Sequence, residues 1–438
     1  MKRDGASMVD TAALVEDARQ QHRANRLDIA ENLYRAVLAI DGDRAEVHLY
    51  LGTLLMDSGR PSEALSSFRQ AISIGPDLAE AYQEMGLALR SLGRLDEALD
   101  TFSRGSKRCP EHAGLSNSVG SLLCELGRHR EALSYYERAI HLSPGKAFLH
   151  RNLANVLGHL GRLAEALDHF RMALSYRPEY AEAYNDAGLV LQELGHLEEA
   201  RHYYRRALEI DPHLAHAHSN LGNIYQRIGR LEDAALCYRQ AIEIMPGLPE
   251  AHNNLGQLLV LLGRTEEACG HFRHALTLKP DYADAWSNLG HAFQRIGRLD
   301  EASACFDRIL SRQPNHPGAL NNFANLLKDQ GRLEESLETH ERALAAQPEV
   351  DSTYSDYLFT LNYHPDKSGE EIYAAYREFD RRFGRGHRAS WRAHANLSDP
   401  RRRLRVGYVS PDFRCHSSRH FLEPLLEHHD REAVEVTA

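Results

Sequence analysis

AHAHSNLGNIYQRIGRLEDAALCYRQAIEIMPGL, residues 215–248, holds the pattern that governs most of this chain. Its proline, Pro246, belongs to a series spaced 34 residues apart: Pro76, Pro110, Pro144, Pro178, Pro212, Pro246, Pro280, Pro314 and Pro348. Seventeen residues before each stands a glycine, from Gly59 through Gly229 to Gly331, where a chain can leave a helix through a positive φ. Twelve residues before it lies Ala64, Ala98, Ala132, Ala166, Ala200, Ala234, Ala268 or Ala302, with Ser336 in the last unit. A small residue recurs on the preceding helix as Gly52, Gly86, Gly120, Gly188, Gly222, Gly256 and Gly290, relaxed to Ala154 and Ala324. Small side chains at both places let two helices cross closely. An aromatic eight residues before the proline, such as Phe68, Tyr136, Tyr238 or Phe306, is expected to fill the core between units.

Counted with Ala45 as position 1 and proline as position 32, nine full units run over residues 45–350. A degraded unit precedes them at 11–44, with Gly42 in place of proline and Asn25 in place of glycine. Acidic residues from Glu63 to Glu335 open each second helix, where the free amides favour negative charge. This pattern is identified as that of the tetratricopeptide repeats, helix pairs that bury their apolar faces only by stacking on their neighbours. The expected architecture is an all-α superhelix, an α-solenoid, whose first business is binding.

Position 6 carries Asn152, Asn220, Asn254, Asn288 and Asn322, with Ser118 and Asp186 at intervening units. Asparagine is a poor helix former, so its recurrence inside a helix needs a reason. At about 100° per residue, position 6 points away from the packing face formed by positions 4, 7, 8 and 11, toward a groove. An amide column there has two readings. It grips the main chain of extended peptides or partner proteins, or its members bond to one another and stiffen the stack.

The composition bounds other possibilities. A net charge of −10 argues against general nucleic-acid binding, and no apolar run has the length of a membrane span. The start, Met1-Lys2-Arg3-Asp4-Gly5, lacks the apolar stretch of a secretory signal, which makes the cytoplasm the expected compartment. Six cysteines without a CxxC pair read as core residues, and the histidines, His218 and His252 among them, read as structural, so no metal site is expected.

After Pro348 the period ends. Residues 351–383 read as capping helices, with Ser368-Gly369-Glu370-Glu371 as a capping box. Residues 384–403 read as an arginine-rich linker, either a solvated segment or a contact to nucleotide phosphates. From Leu404 a strand, a loop, a helix and a second strand open an α/β unit over 404–438.

Leu361-Asn362-Tyr363 and the later Arg405-Val406-Gly407-Tyr408-Val409-Ser410-Pro411-Asp412-Phe413 with its nearby histidine resemble the protein O-linked N-acetylglucosamine transferase family, including its bacterial and SPINDLY-like members. The resemblance implies that the superhelix presents protein substrates and that Rossmann-like glycosyltransferase lobes transfer N-acetylglucosamine from UDP-N-acetylglucosamine to serine or threonine. It implies for His416 a place beside the sugar and the acceptor, as catalytic residue; a loop histidine with a capping role is the alternative. Asp412 is then expected to shape the loop, with His420 one turn beyond it. Only 35 residues run from Leu404 to Ala438, so the donor lobe is expected to be missing and this chain, with no cofactor of its own, to bind without turnover. A non-catalytic repeat scaffold is the competing reading.

Overall fold

The computed structural model of the chain describes residues 11–384 and the strand segments 404–407 and 434–437. It divides into two compact units, residues 1–346 and 347–438. The first is a stack of twenty helices in ten antiparallel pairs, from Thr11–Arg23 with Leu27–Ile40 to Pro317–Asp329 with Leu333–Ala346. The degraded first unit thus forms a full helix pair.

Each first helix ends through a left-handed residue. The nine glycines from Gly59 to Gly331 have φ between 70° and 81°, and Asn25 takes the same conformation at φ 57°. The amide after the glycine then reaches back to a carbonyl of the last turn, as Arg230 N does to Tyr225 O at 2.8 Å. At most units the next residue pairs begin the second helix with a forked ion pair: Arg128 Nε and Nη2 donate to the two Glu131 oxygens at 2.7 and 2.8 Å. The guanidinium holds the Glu131 carboxyl below its usual range. Being exposed, the pair mainly fixes the geometry of the turn.

The aromatic rings do more than fill the space between units. Each plugs the interior of its own unit, and some also meet a ring of the following unit: Phe306 lies 6.5 Å from Phe323 and Tyr34 6.1 Å from Tyr50 between ring centres. A Cβ on Gly52 would lie 2.4 Å from the Phe68 ring, one on Gly86 2.3 Å from Phe102, and one on Gly256 2.6 Å from Phe272. The small residue at position 8 is therefore a socket for the ring at position 24. Phe68, Phe170, Tyr204, Tyr238 and Phe306 are fully buried in these sockets.

Successive units are joined by a second recurring device. The proline carbonyl of one unit accepts a hydrogen bond from the ring at position 4 of the next: Tyr82 Oη to Pro76 O at 3.0 Å, His150 Nε2 to Pro144 O at 2.9 Å, His218 Nε2 to Pro212 O at 3.0 Å, and Trp286 Nε1 to Pro280 O at 2.9 Å. Where position 4 is Ser116 or Leu320, an arginine at position 26 donates in its place, Arg138 to Pro110 O at 2.9 Å and Arg342 to Pro314 O at 3.0 Å. The histidines singled out in the sequence are structural donors of this kind.

In the second unit, helix Asp351–Tyr363 contacts helix Gly369–Phe379. Ser368 Oγ accepts from Glu371 N at 3.2 Å while Glu371 Oε2 accepts from Ser368 N at 2.8 Å, closing the capping box. The α-helix stops at Phe379, and one π turn, Asp380–Gly384, continues the chain. Phe379 and Phe383 gather around Tyr354, 5.6 and 6.1 Å between ring centres. The segments Leu404–Gly407 and Val434–Thr437 pair in parallel, with Leu404 opposite Val434 and Gly407 opposite Thr437. The loop and helix expected between them lie outside the described residues.

Candidate functional site: the polar inner face

First helices of consecutive units touch along the whole array, and second helices do not to a comparable extent among the described residues. Closer spacing on one side means curvature, so the first helices line the inner face. Positions 5, 6 and 9 lie along the seam where they meet.

That seam is zipped by side chains. Position 6 of each unit bonds to position 5 of the unit before it at seven consecutive junctions. Ser118 meets Gln83 at 2.8 Å, Asn152 Nδ2 donates to Asn117 Oδ1 at 2.9 Å, and Arg151 Nε donates to Asp186 Oδ2 at 2.7 Å. Asn220 Nδ2 donates to Asn185 Oδ1 at 2.9 Å, Asn254 Nδ2 to Ser219 Oγ at 3.3 Å, Asn288 Nδ2 to Asn253 Oδ1 at 2.9 Å, and Asn322 Nδ2 to Ser287 Oγ at 2.9 Å. Among the position-5 partners Asn185, Ser219 and Asn253 are buried, whereas the five position-6 asparagines are half-buried.

The two readings of the amide column therefore share each side chain. At least one N–H of every ladder asparagine is spent within the stack. The Oδ1 atoms of Asn152, Asn220, Asn254 and Asn288 accept no bond among the described residues, and none is among the buried unpartnered atoms. They are left as a row of acceptors open to the groove, suited to amide N–H groups of an extended chain.

Position 9 extends the network. Asn155 Nδ2 donates to Asp186 Oδ2 at 3.3 Å, and Asn223 Oδ1 accepts from Asn254 Nδ2 at 3.0 Å. Two groove groups have shifted ionisation. Burial, with Asp57 nearby, pushes the Glu84 carboxyl up. Burial lowers the His291 imidazole against an opposing hydrogen bond that the ring donates to Asn322. The sequence reading missed positions 5 and 9, although a polar residue recurring 35 positions before each ladder residue was there to be seen.

His416, Asp412 and His420 lie outside the described residues. The thiols of Cys237 and Cys305 are buried, which pushes them up to about 11 and about 12. Among the described residues no three histidine, cysteine or acidic side chains are grouped to hold a metal. No helix among them is long and apolar enough to cross a membrane.

Comparison with known proteins places the array. Tetratricopeptide-repeat family profiles match residues 18–79, 55–114, 111–179, 146–213, 181–247 and 281–349, and a further repeat profile matches 257–297. Among curated proteins, the probable UDP-N-acetylglucosamine–peptide N-acetylglucosaminyltransferases SPINDLY of Arabidopsis thaliana and Petunia hybrida are each 38% identical over 73 residues. The match covers 17% of this chain and 8% of the length of each relative. Among solved structures, the Cut9–Hcn1 hetero-tetramer of the APC/C is 13% identical with a TM-score of 0.46, covering 81% of this chain and 97% of that one. YrrB, described as a repeat protein with an unusual peptide-binding site, is 25% identical with a TM-score of 0.35, covering 42% of this chain and 96% of its own.

Proposed function

We propose, from the premise that this chain belongs to the tetratricopeptide-repeat proteins, that its groove binds extended protein segments through their main chains and serves as the substrate-recognition arm of a protein O-N-acetylglucosamine transferase. The observation that carries the binding half is the row of unengaged Oδ1 acceptors along positions 6. A row set by repeat spacing reads backbone amides and is indifferent to side chains, as a receptor for many targets requires. The SPINDLY-like local similarity and the Arg405–Phe413 motif support the enzymatic half. The parallel pairing of Leu404–Gly407 with Val434–Thr437 is in keeping with an α/β lobe, because parallel strands need a crossover between them. UDP-N-acetylglucosamine would be the donor, and His416 the residue beside the acceptor hydroxyl.

Replacing Asn254, Asn288 and Asn322 together with alanine tests the groove. Each lost hydrogen bond weakens binding by roughly 0.5–1.5 kcal/mol, so several unrelated peptides should lose affinity alike. Unchanged affinity in a folded variant would assign the column to stiffening alone. Transfer is tested with radiolabelled UDP-N-acetylglucosamine and cell extract as acceptor. The chain as it stands, any in-frame continuation of it, and both with His416→Ala are compared. Absence of labelling throughout, with peptide binding intact, would favour a non-catalytic scaffold.

A further inference from the structure

The opposite side of the array, where second helices splay, carries a recurring cavity. At residues 69–108 it measures about 670 Å³, at 273–308 about 570 Å³, and at 208–244 about 480 Å³. All three use the same repeat positions. An aliphatic residue at position 28 (Ile72, Leu276, Leu208) and the ring at position 4 (Tyr82, Trp286, His218) form the floor. The residue at position 26 of the next unit (Arg104, Arg308, Gln240) forms the far wall.

The charge at these cavities differs. The second mixes Arg273 and Arg308 with Glu301, and the third carries Glu243. The first has Arg69, Arg104, Lys107 and Arg108 and no carboxylate in its lining, in a chain of net charge −10. All four are exposed. Arg104 makes one loose contact, 3.6 Å to Asp100, and the other three have no ion pair among the described residues. The junction chemistry explains why Arg104 is available. Its counterparts Arg138 and Arg342 are held on proline carbonyls, but at this junction Tyr82 already satisfies Pro76 O, which releases the position-26 guanidinium toward the cavity.

We infer that this cavity binds a phosphate monoester presented on a protein segment, with an apolar neighbour of the phosphorylated residue resting on Tyr82 and Met85. Guanidinium groups pair with phosphate oxygens in forked, charge-assisted hydrogen bonds. Three of them converging with an ammonium match a dianion better than a single carboxylate. The volume accommodates a phosphorylated side chain together with one flanking side chain. The site is separate from the groove, so one partner could engage the main-chain-reading inner face and another this outer, modification-dependent one.

The test uses the full chain and fluorescence anisotropy at about 0.15 M salt, where long-range attraction is screened. The probes are a labelled phosphoserine peptide with a leucine beside the phosphoserine, and the same peptide unphosphorylated. Uridine monophosphate and inorganic phosphate serve as competitors. The expected result is a phosphate-dependent gain in affinity: the phosphopeptide binds about tenfold or more tightly than its unphosphorylated twin, which the groove alone holds, and this gain is lost in Arg104→Ala with Arg108→Ala. The gain should persist in Arg273→Ala and in the triple asparagine variant, which weakens the groove's hold on both peptides alike. Circular dichroism checks that the variants fold, and Arg69→Ala gives an independent variant on another helix. Equal affinity for the unphosphorylated peptide, or loss only in the asparagine variant, would overturn the inference. Competition by either small phosphate at the concentration of the peptide itself would overturn the assignment to a protein segment.

Discussion

Tyr238 Oη donates to Asn223 Oδ1 at 2.7 Å, and the same oxygen accepts from Asn254 Nδ2 at 3.0 Å. A ring buried in the second helix of one unit thereby fixes an amide on the inner face of the next. Tyr204 makes a similar reach to Gln192 at 3.3 Å, and Tyr136 pairs with Ser121 at 3.1 Å. Core aromatic and groove polar group are thus parts of one hydrogen-bond chain.

Tyr238→Phe should keep the fold, since phenylalanine fills the same socket in five other units. It should lower stability by roughly 0.5–1.5 kcal/mol in urea denaturation, because Asn223 loses its donor. Groove affinity should fall as well, through a less ordered Asn254. A variant with wild-type stability would show that the hydroxyl contributes nothing.

Gly256→Ala places a methyl group 2.6 Å from the Phe272 ring and should destabilise by about 1–3 kcal/mol through overpacking. Phe272→Leu in the same chain should recover part of the loss. Gly229→Ala has no neighbour within 4 Å and φ 78°, so its cost, about 1 kcal/mol, comes from the backbone alone and no core change should relieve it.

Arg138→Met and Arg104→Met remove the same side chain from the same repeat position. The first leaves Pro110 O without its donor and should lower the unfolding midpoint by an amount worth about 1 kcal/mol. The second should leave stability unchanged, because Tyr82 holds Pro76 O. Equal effects in thermal melts would contradict the division of labour between ring and arginine.

Burial lowers the imidazoles of His169, His252, His271 and His291 below their ordinary value of 6.5. The unfolded chain therefore takes up protons first as pH falls. The stability these residues allow is fully present above 6.5 and is lost on acidification through the folded values. Thermal midpoints should fall between about pH 7.5 and about pH 5.5, and the slope should flatten in His169→Gln with His271→Gln. An unchanged slope would place the acid sensitivity elsewhere.

The repeat boundaries and the turn residues were legible because backbone demands recur identically: Gly229 and Asn25 sit where only a positive φ continues the chain. The purpose of Gly256 was less legible. Spacing alone cannot tell which side chain of the partner helix a small residue receives, and it receives Phe272. The asparagine column was visible, yet its bonds run to Asn185, Ser219 and Asn253, residues that look like ordinary helix filler until the units are stacked. Arg104 and Arg138 are indistinguishable in sequence, because the role of each depends on a ring 22 residues earlier in its unit.

The proline carbonyl that accepts either a ring donor or an arginine makes most joints self-sufficient. Most repeats bring their own acceptor for the unit that follows and their own donor for the one before, at two interchangeable places. A duplicated or deleted unit in an ancestral gene would thus have found a compatible neighbour on both sides, and arrays of this design can change length by whole units without a compensating change elsewhere.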